Sequence, residues 1–276
     1  MNTRKIYTQN ATYQKFEVLK TNRNKRHKYN EFFVEGVRNI NEAIANRWIF
    51  RSFLFCARKP LSDWARRILA TVQTDVNYEL TPELMAAISN KEDTSEILAI
   101  VQMREDAVSG LSLSKVPLLA LMDRASNRGN LGTILRSCDS FGLDGLLITG
   151  HAVDVYDPGV IAASMGSFFK VPFVRIADNN TLFSYIGALK RDYPALQVVG
   201  TTAHTEKIIA DVDFTRPTLL MIGNETDGLN NTLKMNCDVL ATIPMSARSS
   251  ASSLNVGCAA SVFFYEALRQ RAWQNT

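Results

Sequence analysis

Short apolar runs recur along this chain, and the stretches between them return their apolar positions every three or four residues. After a polar leader, weak helical spacing spans Tyr13 to Lys20. FFVEG (Phe32 to Gly36) reads as a strand turning into a helix over Val37 to Ala45, and Trp48 to Phe55 as the next strand. Leu61 to Val72 predicts a helix behind Pro60, Val76 to Leu80 a strand, Pro82 to Ile88 a helix opened by Thr81 as N-cap with proline in its first turn, and Ile97 to Met103 a strand. The alternation continues with strands at Val116 to Met122, Gly145 to Thr149, Val171 to Ile176, Gln197 to Thr201, Thr218 to Ile222 and Val239 to Ile243. Helices are predicted at Leu131 to Phe141, Pro158 to Met165, Leu182 to Arg191, Leu229 to Met235 and Leu254 to about Trp273.

Strands that are apolar throughout, with no polar alternation, indicate a mostly parallel sheet covered on both faces, so the fold class is α/β. A polar, serine-containing stretch with Gly110 divides the pattern. The expected organisation is a small α/β domain over 1–107, a linker over 108–116 and a larger domain over 117–276.

At 276 residues and 46% apolar side chains the chain can bury a sizeable core. No apolar run approaches the length of a membrane span, and MNTRKIYTQN lacks the apolar stretch of a signal peptide, so the expectation is a cytoplasmic protein with no membrane partner. Cys56, Cys138, Cys237 and Cys258 are scattered without a CxxC pair, and His27, His151 and His204 lie far apart; reduced thiols and no metal site are expected.

The net charge of +4 conceals an asymmetry: residues 1 to 67 hold 15 Lys and Arg against 5 Asp and Glu, leaving the remainder net negative. The densest basic part is KTNRNKRHKYN, where Arg23, Lys25, Arg26 and Lys28 precede Tyr29 and Phe32. Such a mixture suits phosphate contact with base or ribose stacking, and equally a solvated lysine-rich face.

Three distant segments carry the candidate chemistry. In NRGNLGTILR (Asn127 to Arg136), Gly129 and Gly132 permit a tight turn, and Asn127 and Asn130 can bond within it or to a ligand. In IGNETDGL (Ile222 to Leu229), a strand runs into Gly223 and a loop closed by Gly228, leaving strand-end backbone groups open to a flat ligand; Asp227 suits the start of the following helix. In IPMSARSSASSLNVG, Pro244 ends a strand, a serine-rich loop follows, and Ser252 or Ser253 can N-cap the last helix. GxGxxG is absent and no Walker P-loop exists, which argues against an ordinary nucleotide-binding α/β enzyme.

Taken together, in this order and near these spacings, the three segments resemble the signature motifs of the SpoU/TrmH family of RNA ribose methyltransferases, within the SPOUT superfamily. The resemblance covers roughly Leu118 to Arg271. It implies a deep trefoil knot at the C-terminus, a homodimer, and S-adenosylmethionine as cofactor without a metal. It assigns Arg136, Asn127, Glu225, Ser253 and Asn255 to catalysis, and Thr201, Gly223, Asn224, Gly228, Ile243, Met245 and Leu254 to the cofactor. Arg128 stands where many relatives have proline, and is expected either to add a contact to RNA phosphate or to be a variant of the turn.

Upstream, LKTNRNKRHKYNEFFVEGVRNINEAI resembles the ribosomal-protein-like substrate-binding domain that many members carry, with Glu35 and Gly36 as landmarks. On that reading Arg23, Lys25, Arg26 and Lys28 contact RNA. The implied activity is methyl transfer to a ribose 2′-hydroxyl of structured RNA, with rRNA favoured over tRNA because a separate RNA-binding domain is present. The alternatives are a tRNA 2′-O-methyltransferase and a non-catalytic RNA-binding or ribosome-assembly protein on the same fold; whether the role is housekeeping or antibiotic resistance stays open.

Overall fold

The computed structural model describes residues 2–58, 60–203, 205 and 207–273; His204 therefore lies outside the described residues. The chain forms two compact units, Met1–Arg104 with Asp154–Lys170, and Glu105–Val153 with Val171–Thr276.

The first unit runs β1 (Thr3–Ile6), α1 (Ala11–Thr21), α2 (Arg23–Tyr29), β2 (Glu31–Glu35), α3 (Val37–Ala45), β3 (Phe50–Phe55), α4 (Asp63–Thr71), β4 (Asn77–Leu80), α5 (Pro82–Ile88) and β5 (Ile97–Gln102). Its sheet has the order β1-β4-β3-β5-β2, with β5 antiparallel to both β2 and β3 and the β1, β4 and β3 pairs parallel. Two elements depart from the sequence reading. Part of the polar leader is an edge strand, β1, and the basic cluster is a helix of its own. Asn22 starts that helix by accepting from the Lys25 N–H, and Asn30 ends it in the left-handed conformation at φ 54 that asparagine tolerates.

The second unit begins with β6 (Leu118–Asp123), α6 (Arg128–Ser140) and β7 (Gly145–Thr149). The chain next enters the 154–170 stretch, with α7 (Pro158–Ala163), which belongs to the first unit. It resumes in the second with β8 (Phe173–Ile176), α8 (Asn179–Asp192), β9 (Gln197–Thr201), β10 (Thr218–Ile222), α9 (Asn231–Met235), β11 (Val239–Ala241) and α10 (Val256–Trp273).

The six strands of the second unit are ordered β11-β9-β10-β6-β7-β8, and each neighbouring pair is parallel. Burial of β6, β7 and β10 along their whole length accounts for their unbroken apolar sequence. Leu119, Leu121, Leu147, Val198, Leu219 and Met221 pack with Leu182, Ile186 and Leu189 of α8. The helices α6 and α10 meet through the Ser137 and Ser261 hydroxyls, 2.7 Å apart. Arg271, in the last turn of α10, donates to the carbonyls of Val116, Pro117, Phe214 and Arg216, which lie before β6 and β10. Those bonds fix the far end of α10 against the starts of the two central strands, while its first turn lies by the opposite, carboxyl ends.

Within the first unit the 154–170 stretch supplies core. Phe168 and Phe169 pack against Phe32 and Trp48 at ring-centroid distances between 5.4 and 6.3 Å, and the Trp48 indole N–H donates to the Phe169 carbonyl. Arg26 is 1% exposed; its Nε donates to Asp154 Oδ2 at 2.6 Å, and its guanidinium also lies 3.6 Å from Asp157.

Candidate active site

Parallel strands expose their carboxyl ends on one edge of the sheet, and ligand clefts in such sheets form outside that edge. The register places Ala241, Thr201, Ile222 and Met122 at matching levels on β11, β9, β10 and β6. The three segments singled out in the sequence leave this edge: 124–127 after β6, leading into α6, 223–230 after β10, and 242–255 after β11.

The loop after β10 is built around two glycines. A Cβ on Gly223 would lie 2.0 Å from the Leu229 nitrogen and 2.2 Å from the Gly228 carbonyl carbon, so the chain folds back over a position where only hydrogen fits. Gly228 makes the return at φ +68, and Asn224 and Gly228 exchange backbone hydrogen bonds across the loop. The Asn224 side chain is occupied in shaping this turn: Nδ2 donates to the Arg124 carbonyl, and Oδ1 accepts from the N–H groups of Thr226 and Asp227. At the base, buried Asp123 accepts from the Arg124 guanidinium and from both the backbone and side-chain nitrogens of Asn230. Arg124 also donates to the Gly228 carbonyl, tying the first loop to the second.

A cavity of about 350 Å³ opens where the three loops converge. Ser126 and Asn127 line it from the first loop, Asn130 from the first turn of α6, Glu225 from the second loop, Ser253 through Asn255 from the third, and Val256 from the start of α10. A chain of hydrogen bonds crosses it. Glu225 Oε2 accepts from the Ser126 N–H and hydroxyl, at 3.2 and 2.6 Å, and Oε1 accepts from Asn130 Nδ2 at 3.1 Å. Asn130 Oδ1 accepts from Asn255 Nδ2 at 3.1 Å, and Asn255 Oδ1 accepts from the N–H groups of Gly257 and Cys258.

Burial disfavours the charged form of Glu225, yet hydrogen bonds from Ser126, Asn130 and backbone N–H groups outweigh it and hold the carboxyl below its usual range. The cavity therefore carries a fixed negative charge near neutral pH.

Among the residues expected to act in catalysis, Asn127, Glu225, Ser253 and Asn255 line the cavity and Arg136 does not. Arg136 is exposed on α6, about 9 Å along the helix axis from Asn130 at 1.5 Å per residue. Asn127 is the N-cap of α6, with its Oδ1 taken by the Asn130 N–H. The last helix starts at Val256 and is capped by Asn255, in place of the serine caps expected from an earlier start; Ser252 and Ser253 lie too far before the first turn to reach its N–H groups. Asn130, Ser126 and Val256 line the cavity outside the assigned catalytic and cofactor sets. For Asn130 a signal existed, since it lies in the same glycine-rich turn; Ser126 carries none.

Of the cofactor set, Leu254 lines the cavity, Thr201 ends β9, Gly223 follows β10, and Ile243 and Met245 follow β11. Of the basic set, Arg23 and Lys28 are exposed, Lys25 is half-buried, and Arg128 is exposed as the first residue of α6. Arg26 is a correction: an arginine enclosed with two carboxylates in the first unit is withdrawn from any surface that meets RNA.

The residues present fit S-adenosylmethionine. Space beside Gly228 in the loop after β10 is open, since a Cβ there would meet nothing within 4 Å, and an ionised Glu225 complements a sulfonium. Among the described residues no cluster of His, Cys, Asp or Glu could hold a metal ion.

A parallel sheet whose carboxyl-edge loops close around a polar, negatively charged cavity defines an α/β protein with a cofactor site at strand ends. Residues 117–265 match the SpoU rRNA Methylase family and residues 10–99 the SpoU L30e-like domain, and the chain belongs to the SpoU methylase family. It is 40% identical over 269 residues to the 23S rRNA (uridine(2479)-2'-O)-methyltransferase of Streptomyces viridochromogenes, covering 97% of this chain and 93% of that protein. It is 27% identical to the 23S rRNA (guanosine(2553)-2'-O)-methyltransferase RlmP of Bacillus subtilis, over 87% of this chain and 89% of that one. The crystal structure of the SpoU methyltransferase AviRb from Streptomyces viridochromogenes in complex with AdoMet superposes with a TM-score of 0.90 at 41% identity, covering 95% of this chain and 98% of AviRb.

Proposed function

We propose that this protein transfers a methyl group from S-adenosylmethionine to a ribose 2′-oxygen of 23S rRNA. The observation that carries the reading is the hydrogen-bonded path from Glu225 through Asn130 to Asn255, which joins three sequence-distant loops into one cavity wall. The names of the relatives supply the substrate class.

When bound, the cofactor supplies an electrophilic methyl group on a positively charged sulfur. The chain's own residues do the rest. Gly223, Gly228 and the backbone of Ile243, Met245 and Leu254 hold the donor beside Thr201, and Asn224 keeps the second loop in shape. Arg136 is a poor base, because a guanidinium does not give up its proton in proteins. Its part is to anchor a phosphate of the target strand and stabilise the charge that develops on the ribose oxygen. Asn127, Ser253 and Asn255 form the polar wall that orients the ribose.

Residues 1–107 serve as the RNA-binding domain, 108–116 as the linker and 117–276 as the methyltransferase domain, except that 154–170 belongs to the first compact unit. Arg23, Lys25 and Lys28 contact phosphates from the first and Arg128 from the last. RNA is selected by shape and loop geometry, since phosphate contacts carry no sequence information. The C-terminal stretch forms a trefoil knot, and the protein is a cytoplasmic homodimer. The exposed apolar residues Val262, Tyr265 and Leu268, spaced along one side of α10, support a covered face.

Mapping ribose 2′-O-methylation across ribosomal RNA from cells with and without the gene tests the function. One missing methyl in 23S rRNA is expected; an unchanged map in both rRNA and tRNA overturns it.

A further inference from the structure

We propose that Ser126 is a positioning residue for methyl transfer: it clamps Glu225 with two hydrogen bonds and so fixes the carboxylate end of the Glu225–Asn130–Asn255 path. The proposal rests on the reading of this cavity as the site of transfer.

An asparagine amide has a donor end and an acceptor end, and a path through two of them has a direction only if both ends are anchored. At one end the N–H groups of Gly257 and Cys258 can only donate, so Asn255 must turn Oδ1 toward them and Nδ2 toward Asn130. Asn130 must then present Oδ1 to Asn255 and Nδ2 to Glu225, which an ionised carboxylate accepts. At the other end Ser126 meets the same carboxylate through both its backbone N–H and its hydroxyl, the latter at 2.6 Å, the shortest bond in the path. Hydrogen bonds to a charged acceptor of this kind are the strong ones.

Ser126 lies four residues before Asn130 and 99 before Glu225, so it connects the first loop to the second independently of the asparagine. It is placed by its neighbour: the Asn224 Nδ2 bond to the Arg124 carbonyl and the Val153 N–H bond to the Ala125 carbonyl fix the two residues before it. The charged groups on the flanking elements are Asp123, Arg124 and Asp227, with Arg124 bound to both carboxylates, Arg128, Arg136 and Asp139 on α6, and Arg248 on the third loop. The lowered proton affinity of Glu225 comes from hydrogen bonds, those of Ser126 first among them once burial is offset.

The hydroxyl thus keeps the carboxylate ionised and fixed at one rotamer. Without it, the carboxyl takes up a proton at higher pH, is free to leave its rotamer, and weakens as the acceptor that Asn130 Nδ2 needs.

The test is the pH dependence of kcat for the full chain with radiolabelled S-adenosylmethionine and unmodified 23S rRNA, for wild type, Ser126→Ala, Ser126→Thr and Glu225→Gln. Ser126→Ala is expected to lower kcat near pH 7 by about tenfold, the size of one charge-assisted hydrogen bond. Its acid limb should move to higher pH, while KM for RNA and the thermal midpoint stay near wild type. Ser126→Thr, which keeps the hydroxyl, should restore both kcat and the acid limb. A wild-type profile in Ser126→Ala, or equal losses in Ser126→Ala and Ser126→Thr with the acid limb unmoved, overturns the clamp. If Glu225→Gln keeps full activity, Glu225 has no part in transfer and the clamp fails with it; if Glu225→Gln is impaired and Ser126→Ala is not, the site assignment stands and only the clamp fails.

Discussion

Asn255 Nδ2 stands 3.1 Å from Asn130 Oδ1, although 125 residues separate the two in the chain. One side chain opens α10 and the other lies in the first turn of α6, so the start of each helix is held by the same contact that closes the cavity.

That double role can be divided. Asn255→Asp keeps an N-cap acceptor for the Gly257 and Cys258 N–H groups but has no donor for Asn130. Asp caps about as well as Asn, so the thermal midpoint should be nearly unchanged while methyl transfer falls; Asn255→Ala should lose both activity and about 1 kcal/mol of stability. Differential scanning fluorimetry beside a methylation assay separates the two, and equal activity in Asn255→Asp and wild type would show that the path is structural only.

Arg136 is exposed, and among the described residues no carboxylate or carbonyl receives its guanidinium, so removing it should leave the fold intact. Arg136→Ala is expected to reduce kcat by about a hundredfold or more, as when a group stabilising developing charge is removed. Binding of S-adenosylmethionine by calorimetry should stay near wild type; substantial activity in the variant would remove Arg136 from the mechanism.

At Gly223 the added methyl of alanine meets backbone at 2.0 Å, which no rotamer change relieves. Gly223→Ala should displace the second loop, cost about 1–3 kcal/mol of overpacking and abolish measurable cofactor binding. Titration calorimetry showing wild-type affinity would place the cofactor elsewhere.

The basic helix α2 contains residues with opposite fates. Lys28→Ala, at an exposed position, should weaken RNA binding and reduce the salt dependence of affinity by about one unit of slope. Arg26→Met leaves Asp154 buried without its counter-charge and should destabilise the protein by about 3–5 kcal/mol in chemical denaturation. If instead Arg26→Met unfolds like wild type and loses RNA affinity, Arg26 faces the nucleic acid.

Much of this architecture was legible in the order of residues. The strands β6, β7 and β10 announce themselves by unbroken apolar sequence, and the loops at their ends by glycine and proline. Side-chain partnerships were not, because they depend on residues far along the chain. Asn127 and Asn130 are the same residue type three positions apart, and only the three-dimensional arrangement shows that one caps a helix while the other bridges two loops. Arg26 reads as one of a solvated basic run because its partner lies 128 residues away. The edge strand β1 has no periodic signal, since three of its four residues are exposed. Val256, rather than Leu254, opens the last helix because the Asn255 amide reaches the N–H groups of its first turn.

The stretch 154–170 gives the protein a schedule of assembly. During synthesis, the residues up to Arg104 are made well before Asp154, Phe168 and Phe169. Until those arrive, Phe32 and Trp48 lack the rings that cover them and Arg26 has no anion to neutralise it. A fragment cut at residue 104 would display a sticky aromatic surface beside an orphaned cation, so the front of this molecule matures only after the chain has been translated as far as Lys170.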